Sequence, residues 1–397
     1  MRGTFAPEVV LVTYSTKPRG GVVHTLHLAE ALQRAGQVVR VLALGDPGAG
    51  FFRPTSVPHT IVPAPRRAPE LEDRVFEAVD ALSAGLANLA GTYHILHAQD
   101  CIAARAATRI RDGGVATTVV RTVHHVDDFT TPSLVDCQRR AIVEPDEVLV
   151  VSQYWRRVLE RDYGVHAGVV TNGIDTDRLR APAEPTPATL RAGIAATDRF
   201  VFLTVGGIEP RKGSLELVEA LGRLHQTGRT PPVLVVLGGT SFQDYAPYRR
   251  RVFDRARELG LDRECELVVR GPVTEEELAA WYHTADAFVF PSAKEGFGLA
   301  VLEAMAVGLP AIASDIPVFR EHLHQDEGVL LVPAGDPGAL ADAMERIAED
   351  VDLRGRLRRT GPLVAARFRW EDCARQHIGL YDGLGQELAT EAEVMPS

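Results

Sequence analysis

Two series of short apolar runs, each run followed by a longer amphipathic stretch, constrain this chain more than any other feature. Glu8–Thr13 reads EVVLVT, and Val22–Ala35 behind it carries its apolar residues at helical spacing. The same change of period recurs at Val38–Leu44, Tyr93–Ala98, Ala116–Val123 and Glu147–Val151. Consecutive strands joined through helices pair in parallel, with right-handed crossovers that place helices on both faces of the sheet. Strands buried on both faces have no solvent side to mark with polar residues, so their apolar runs are continuous. The expected fold class is α/β, with a Rossmann-like domain over residues 1–180.

Between Arg178 and Asp198 the pattern stops. The stretch Arg180-Ala-Pro-Ala-Glu-Pro-Thr-Pro-Ala holds three prolines, each lacking the N–H that a helix interior or central strand needs, so neither is expected there. A second series follows, with strands at Phe200–Val205, Pro232–Gly238, Cys265–Arg270, Ala287–Phe290, Ala311–Ser314 and Val329–Val332. Helices are expected at Ser214–Gln226, Tyr245–Leu259, Glu275–His283 and Leu299–Val307. This predicts a second Rossmann-like domain over 181–369, and then a segment 370–397 whose helix, Trp370–Leu388, packs back on the first domain. Two such sheets in tandem are expected to face each other across a cleft lined by strand carboxyl ends, where open parallel sheets bind ligands.

At 397 residues the chain exceeds what one core normally organises, which agrees with two domains. No apolar run approaches the roughly 20 residues of a membrane span, and the N-terminus leads straight into the first strand. Neither a spanning segment nor a signal peptide is expected, which points to the cytosol, with peripheral contact at the inner membrane face as a second placement. The formal net charge is −10; residues 1–180 hold 20 basic and 20 acidic residues, so the whole acidic excess falls in the second half. No nucleic-acid-binding surface is indicated. Cys101, Cys137, Cys265 and Cys373 form no CxxC pair and are expected to be free thiols, mostly buried. Of the 43 basic residues only three, Lys17, Lys212 and Lys294, are lysines.

The connections after three strands carry the chemistry. Thr13-Tyr-Ser-Thr-Lys-Pro-Arg-Gly20-Gly21 ends on two glycines at a helix start, where the backbone can approach an anion and first-turn N–H groups point at it. A ligand-free turn reads the same residues equally well, and the segment lacks the GxGxxG dinucleotide fingerprint. In the second domain Gly206-Gly207-Ile208-Glu209-Pro210-Arg211-Lys212-Gly213-Ser214 places two adjacent cations at a helix N-terminus. Cations there oppose the helix dipole, and a bound diphosphate would justify them, with arginine gripping oxygens bidentately and lysine adding a point charge.

Phe290-Pro-Ser-Ala-Lys-Glu295-Gly296-Phe297-Gly298-Leu299 then leads into a helix on which Glu303 stands among Leu302, Ala304, Met305 and Ala306. A carboxylate in that setting costs free energy unless a hydroxyl or cation binds it, and a ribose diol would satisfy it. Glu295 reads either as a ligand-binding carboxylate or as a structural cap. Thr122-Val123-His124-His125-Val126-Asp127 ends a strand of the first domain in tandem histidines, which leaves open which of His124 and His125 faces a ligand, a packed histidine or a metal ligand being the other readings.

In order, Gly20-Gly21, Asn172-Gly-Ile-Asp175, Pro210-Arg-Lys-Gly213, Ala285-Asp286 and Glu295-Gly-Phe-Gly…Glu303 resemble the retaining glycosyltransferases of family 4, of GT-B fold, over nearly the whole chain. The resemblance implies a hexosyltransferase using a nucleotide-diphosphate sugar as co-substrate, with no other cofactor. Arg211 and Lys212 would hold the donor diphosphate with Gly20 and Gly21, Glu303 the ribose, and Glu295 with Gly296-Phe297-Gly298-Leu299 the donor sugar and phosphates. The turn Arg270-Gly271 would edge the nucleobase, and His124 would point at the donor sugar. Asp175-Thr176-Asp177 spells the DxD string of metal-dependent transferases, but it sits in a turn, and the resemblance implies no metal site. No nucleophile presents itself, which fits attack by the acceptor on the face the diphosphate leaves.

A GT-B-fold nucleotide-sugar epimerase or hydrolase, and a non-catalytic nucleotide-sugar-binding protein, are the rival readings. The acceptor, whether sugar, lipid or small molecule, and the oligomeric state are left open. Phe51–Arg67 reads as the least regular part of the first domain, either an ordinary surface loop or a contact for a lipid head group.

Overall fold

The computed structural model describes residues 7–89, 93–226, 230–239, 242–243, 245–261 and 266–394, with side chains up to 386. Two compact units emerge, Met1–Gly173 with Arg369–Ser397, and Ile174–Phe368.

Unit 1 runs β1 (Val9–Thr13), α1 (Gly20–Arg34), β2 (Val39–Gly45), β3 (His59–Pro63), α2 (Leu71–Ala87), β4 (Ile95–Ala98), α3 (Cys101–Asp112), β5 (Thr118–Val123), α4 (Pro132–Val143), β6 (Glu147–Val150), α5 (Gln153–Tyr163) and β7 (Gly168–Val169). Its seven strands order as β3-β2-β1-β4-β5-β6-β7, all in parallel. All five residues of β1 are buried, as a central strand covered on both faces requires. Helix starts follow their caps: Asp100 accepts from the Ala103 N–H at 2.8 Å, and Ser152 from the Trp155 N–H.

Unit 2 runs α6 (Pro187–Ala192), β8 (Val201–Val205), α7 (Ser214–His225), β9 (Val233–Leu237), α8 (Ala246–Glu258), β10 (Leu267–Gly271), α9 (Glu275–Thr284), β11 (Ala287–Phe290), α10 (Leu299–Ala306), β12 (Ala311–Ser314), β13 (Val329–Val332), α11 (Pro337–Glu349) and α12 (Val351–Ala365). Its parallel sheet orders as β10-β9-β8-β11-β12-β13. Each sheet therefore reverses its winding once, between β1 and β4 and between β8 and β11. The carboxyl ends of those strand pairs are where such sheets open a crevice.

The last helix, α13 (Trp370–Val394), belongs to unit 1 and runs past the expected end at Leu388. It packs on α1, and Trp370, Cys373, Ala374, Tyr381 and Leu384 join the unit 1 core. Each such fully buried large side chain contributes about 1.5–3 kcal/mol. The buried Tyr381 hydroxyl is hydrogen-bonded to His97 Nδ1 at 2.6 Å, and His97 Nε2 to Thr122 Oγ1 at 2.7 Å, which fastens the helix to β4 and β5.

Several local expectations are revised. The chain passes between units at Gly173/Ile174, ahead of the expected 180/181, because the next residues are held by unit 2: Ile174 donates to the Phe368 carbonyl, Arg178 pairs with Glu275 at 2.7 Å, and His283 bonds the Leu179 carbonyl. No helix runs through Pro182 and Pro185, as expected, and a short one, α6, begins only at the last proline of the stretch: Pro187 stands at its first turn, where a missing N–H costs nothing, and Thr186 caps it. The segment Phe51–Arg67 contains β3, an edge strand too exposed to leave an apolar run. Arg53 there is buried and bidentate with Glu30 at 2.5 and 3.0 Å. Cys265, the expected start of β10, lies outside the described residues; Cys137 and Cys373 are buried free thiols and Cys101 is partly exposed.

Candidate active site

In unit 2 the site is built at the reversal between β8 and β11. Leaving β8, the backbone takes a positive φ of 143° at Gly206, turns through a 3-10 segment Pro210–Lys212, and enters α7 through Gly213, whose φ is 65°. A Cβ on Gly213 would stand 2.1 Å from the Pro291 carbonyl oxygen, so this close approach to the loop after β11 admits only glycine. The Ala293 N–H donates to the Arg211 carbonyl at 2.8 Å, joining the same two loops again.

That junction brings Arg211, Lys212 and Glu295 together. Lys212 Nζ lies 2.6 Å from Glu295 Oε1, Arg211 Nη1 3.3 Å from the same oxygen, and Arg211 Nε 3.2 Å from Glu209 Oε2. Lys212 Nζ also sits 4.4 Å from the Phe290 ring centroid, a cation–π contact. Burial pulls the ammonium pKa of Lys212 down, with Glu295 working against it. Burial pushes the Glu295 carboxyl up, but the Lys212 and Arg211 charges outweigh it and hold the group below its ordinary value, so it is ionised. Two cations and two carboxylates leave the cluster close to neutral, with its cations fixed in place.

The loop past Glu295 starts α10 at Gly298, whose φ is 93° and whose Cβ would stand 2.3 Å from the Phe319 ring. The Val301 and Leu302 N–H groups both donate back to the Gly298 carbonyl, at 3.1 and 3.3 Å, which closes the first turn of α10 on that glycine. One turn on, Glu303 accepts a hydrogen bond from the Tyr282 hydroxyl at 2.9 Å. Burial raises its carboxyl to about 7, Tyr282 pulling it down and Glu275 adding to the rise. Phe297 is buried, its ring stacked on His322 at 4.8 Å and set against Phe368, so its side chain serves packing. Arg270 is exposed and donates to the Gly193 carbonyl; at Gly271, φ 72°, the pairing of β10 with β9 slips.

In unit 1 the reversal between β1 and β4 carries Gly20 and Gly21 in the first turn of α1. A Cβ on Gly21 would meet the Gln99 carbonyl and the His124 ring at 3.9 Å, whereas Gly20 faces open space. His124, following β5, bonds Gln99 Oε1 at 3.3 Å and lies edge-on to His24 with ring centroids 4.5 Å apart. His24 is buried on α1 and held by Asn172 at 3.0 Å and by the Trp370 ring. Burial lowers the pKa of both imidazoles well below the usual value, so they are neutral. His125 turns instead to Asp127 at 3.5 Å. Asp175 accepts from the Asp177 and Arg178 N–H groups and pairs with Arg178, while Asp177 pairs with Arg180. Sequence reading overlooked Tyr282, His24 and Gln99; each acts through a partner distant in the chain, with no local spacing to announce it.

Two doubly wound parallel units, one carrying the Arg211–Lys212–Glu295 cluster at its reversal point, have the architecture of a glycosyltransferase of GT-B type. Solved structures agree: sucrose-phosphate synthase from Thermosynechococcus elongatus superposes with a TM-score of 0.78 at 24% identity, covering 95% of this chain and 99% of that one. HepE from Anabaena, in complex with UDP and glucose, gives 0.74 at 17% over 95% and 100%. Residues 18–178 match the model "Glycosyltransferase Family 4" and residues 188–363 "Glycosyl transferases group 1". A phosphatidyl-myo-inositol mannosyltransferase from Mycobacterium leprae is 29% identical over 94% of this chain and 96% of its own length. A D-inositol 3-phosphate glycosyltransferase from Corynebacterium urealyticum is 30% identical over 62% of this chain, the match spanning 59% of that relative. The chain belongs to glycosyltransferase family 4 and is a hexosyltransferase.

Proposed function

We propose that unit 2 binds a nucleoside-diphosphate sugar and that the enzyme transfers the sugar, with retention at the anomeric carbon, to an acceptor hydroxyl. The observation that carries this is the Arg211–Lys212–Glu295 cluster at the start of α7: two cations fixed by carboxylates at a helix N-terminus, an arrangement that a diphosphate completes. As the bond from the anomeric carbon to the diphosphate oxygen breaks, charge builds on that oxygen. Arg211, Lys212 and the helix N-terminus are already in place to stabilise it, which is electrostatic preorganisation. The acceptor oxygen bonds to the anomeric carbon on the face being vacated, and its proton passes to the leaving phosphate. The charge neutralisation assigned to Arg211 and Lys212 makes the reaction metal-independent.

Glu303 binds the ribose diol, and the backbone at Arg270–Gly271 edges the base. Glu295, with the turn Gly296-Phe297-Gly298-Leu299, orients the donor sugar and phosphates. His124, with Gly20 and Gly21, belongs to the sugar-facing part of unit 1. The two relatives named above, an inositol-phosphate and a phosphatidylinositol glycosyltransferase, support an acceptor of the inositol-phosphate or phosphatidylinositol class. The protein acts at the cytoplasmic side, with peripheral membrane contact if the acceptor is the lipid. Mass spectrometry of a panel of nucleotide sugars, each with inositol phosphate or phosphatidylinositol, tests this. Consumption of one donor with a glycosylated acceptor and retained anomeric configuration is expected; release of free sugar or an epimer without acceptor would overturn it in favour of the epimerase or hydrolase reading.

A further inference from the structure

Beside the proposed ribose carboxylate stands a residue that no part of that reading uses. Tyr282 lies on α9 with 1% of its surface exposed, its ring against Phe288 of β11 with centroids 5.9 Å apart. A complete capping box at Thr274 and Glu277 fixes the start of that helix. The phenol has one proton and two acceptors in reach, Glu303 Oε2 at 2.9 Å and the Ala300 carbonyl at 3.4 Å. The shorter contact, to the charged acceptor, is the stronger. Glu303 itself keeps some exposure, so one buried donor occupies one oxygen of a carboxylate that still reaches solvent.

The geometry points to Tyr282 as the positioning residue of the donor-ribose site: its hydroxyl holds one oxygen of Glu303, fixes the carboxylate plane and leaves the other oxygen to accept from the ribose diol. This rests on the proposed role of Glu303. Two physical consequences follow. The phenol donates to the ionised form, so it opposes the burial that pushes the carboxyl to about 7, while Glu275, itself paired with Arg178, pushes the other way. Tyr282 cannot share in the titration, because burial and the neighbouring carboxylate hold its own pKa far above the ordinary value.

The test is calorimetric titration of the full chain, from pH 6 to 9, with whichever of UDP, GDP and ADP binds most tightly and with its 2′,3′-dideoxy analogue. Both ligands carry the same phosphates, so the ratio of their affinities isolates the diol. In the wild type the preference for the ribose form is expected to be full at pH 9 and to fall about tenfold per pH unit below about pH 7, as Glu303 takes up its proton. In Tyr282→Phe the loss of a hydrogen bond to a charged group moves that midpoint up by about one to two pH units, with the preference regained at high pH. A curve that superposes on the wild type overturns the role of Tyr282. Glu303→Gln is the control for the reading beneath it: loss of the preference at every pH upholds the ribose site, and a preserved preference overturns that site itself. Should Tyr282→Phe not fold, 3-fluorotyrosine placed at 282, a stronger donor of nearly the same shape, must move the midpoint down; an unmoved midpoint is equally fatal.

Discussion

The ammonium of Lys212 lies 2.6 Å from Glu295 Oε1, and Arg211 reaches the same oxygen at 3.3 Å. One carboxylate thus sets the position of both cations before any anion arrives. Removing Lys212 leaves a buried carboxylate with the more distant arginine, so Lys212→Met should destabilise the protein by about 1–3 kcal/mol. Adding Glu295→Gln removes the stranded charge. In urea denaturation the double variant should therefore lose less than the sum of the singles, by about 1 kcal/mol or more. Strict additivity would show that the pair is not coupled.

Gly213 joins the two loops through backbone alone. With φ at 65° and the Pro291 oxygen 2.1 Å from where a Cβ would stand, Gly213→Ala should cost more than about 1 kcal/mol and weaken nucleoside-diphosphate binding together with stability. Normal denaturation and binding in this variant would contradict the junction described here.

For Glu303 the sign follows from its raised carboxyl pKa of about 7 in the folded state, against 4.5 for the ordinary side chain. Below pH 4.5 folded and unfolded states are both protonated, and the group contributes nothing. Between the two values the folded state alone keeps its proton, so stability falls as pH rises, by on the order of 3 kcal/mol once above pH 7. Glu303→Gln should consequently melt higher than the wild type at pH 8 in the absence of ligand and equally at pH 4. A variant less stable at pH 8 would refute that burial cost. The expectation is a carboxylate retained at a cost in stability for what it binds.

Much of this site was readable from the chain because its chemistry lies in contiguous loops. Arg211-Lys212 and Glu295 to Glu303 each follow a strand that is buried on both faces and so announces itself as an apolar run. What stayed hidden depends on tertiary contact or on exposure. Tyr282 looks like any core aromatic of α9 until α10 brings Glu303 to its hydroxyl. His24 acquires meaning only from Asn172, 148 positions on. The edge strand β3, exposed at His59, Thr60 and Pro63 and only half-buried at Ile61 and Val62, leaves too short an apolar trace. The short helix α6 went unforeseen for a different reason, since Pro187 at a first helical turn favours the helix it would break elsewhere.

The tandem histidines are separated by their surroundings. His124 lies beside Gly21 and His24, and His125 faces Asp127 near the surface. Accordingly His124→Ala should lower turnover by about 10²-fold, and His125→Ala by less than about threefold. The reverse order in steady-state assays would move the sugar-facing position to His125.

The most direct test of the account is steady-state transfer from the donor the screen identifies, compared among the wild type, Arg211→Ala and Lys212→Ala, with folding checked by circular dichroism. If these side chains stabilise the departing diphosphate, each variant should lose about 10²-fold or more in turnover, equivalent to roughly 2.7 kcal/mol of transition-state stabilisation. Turnover unchanged in both folded variants would contradict the assignment of the diphosphate to unit 2.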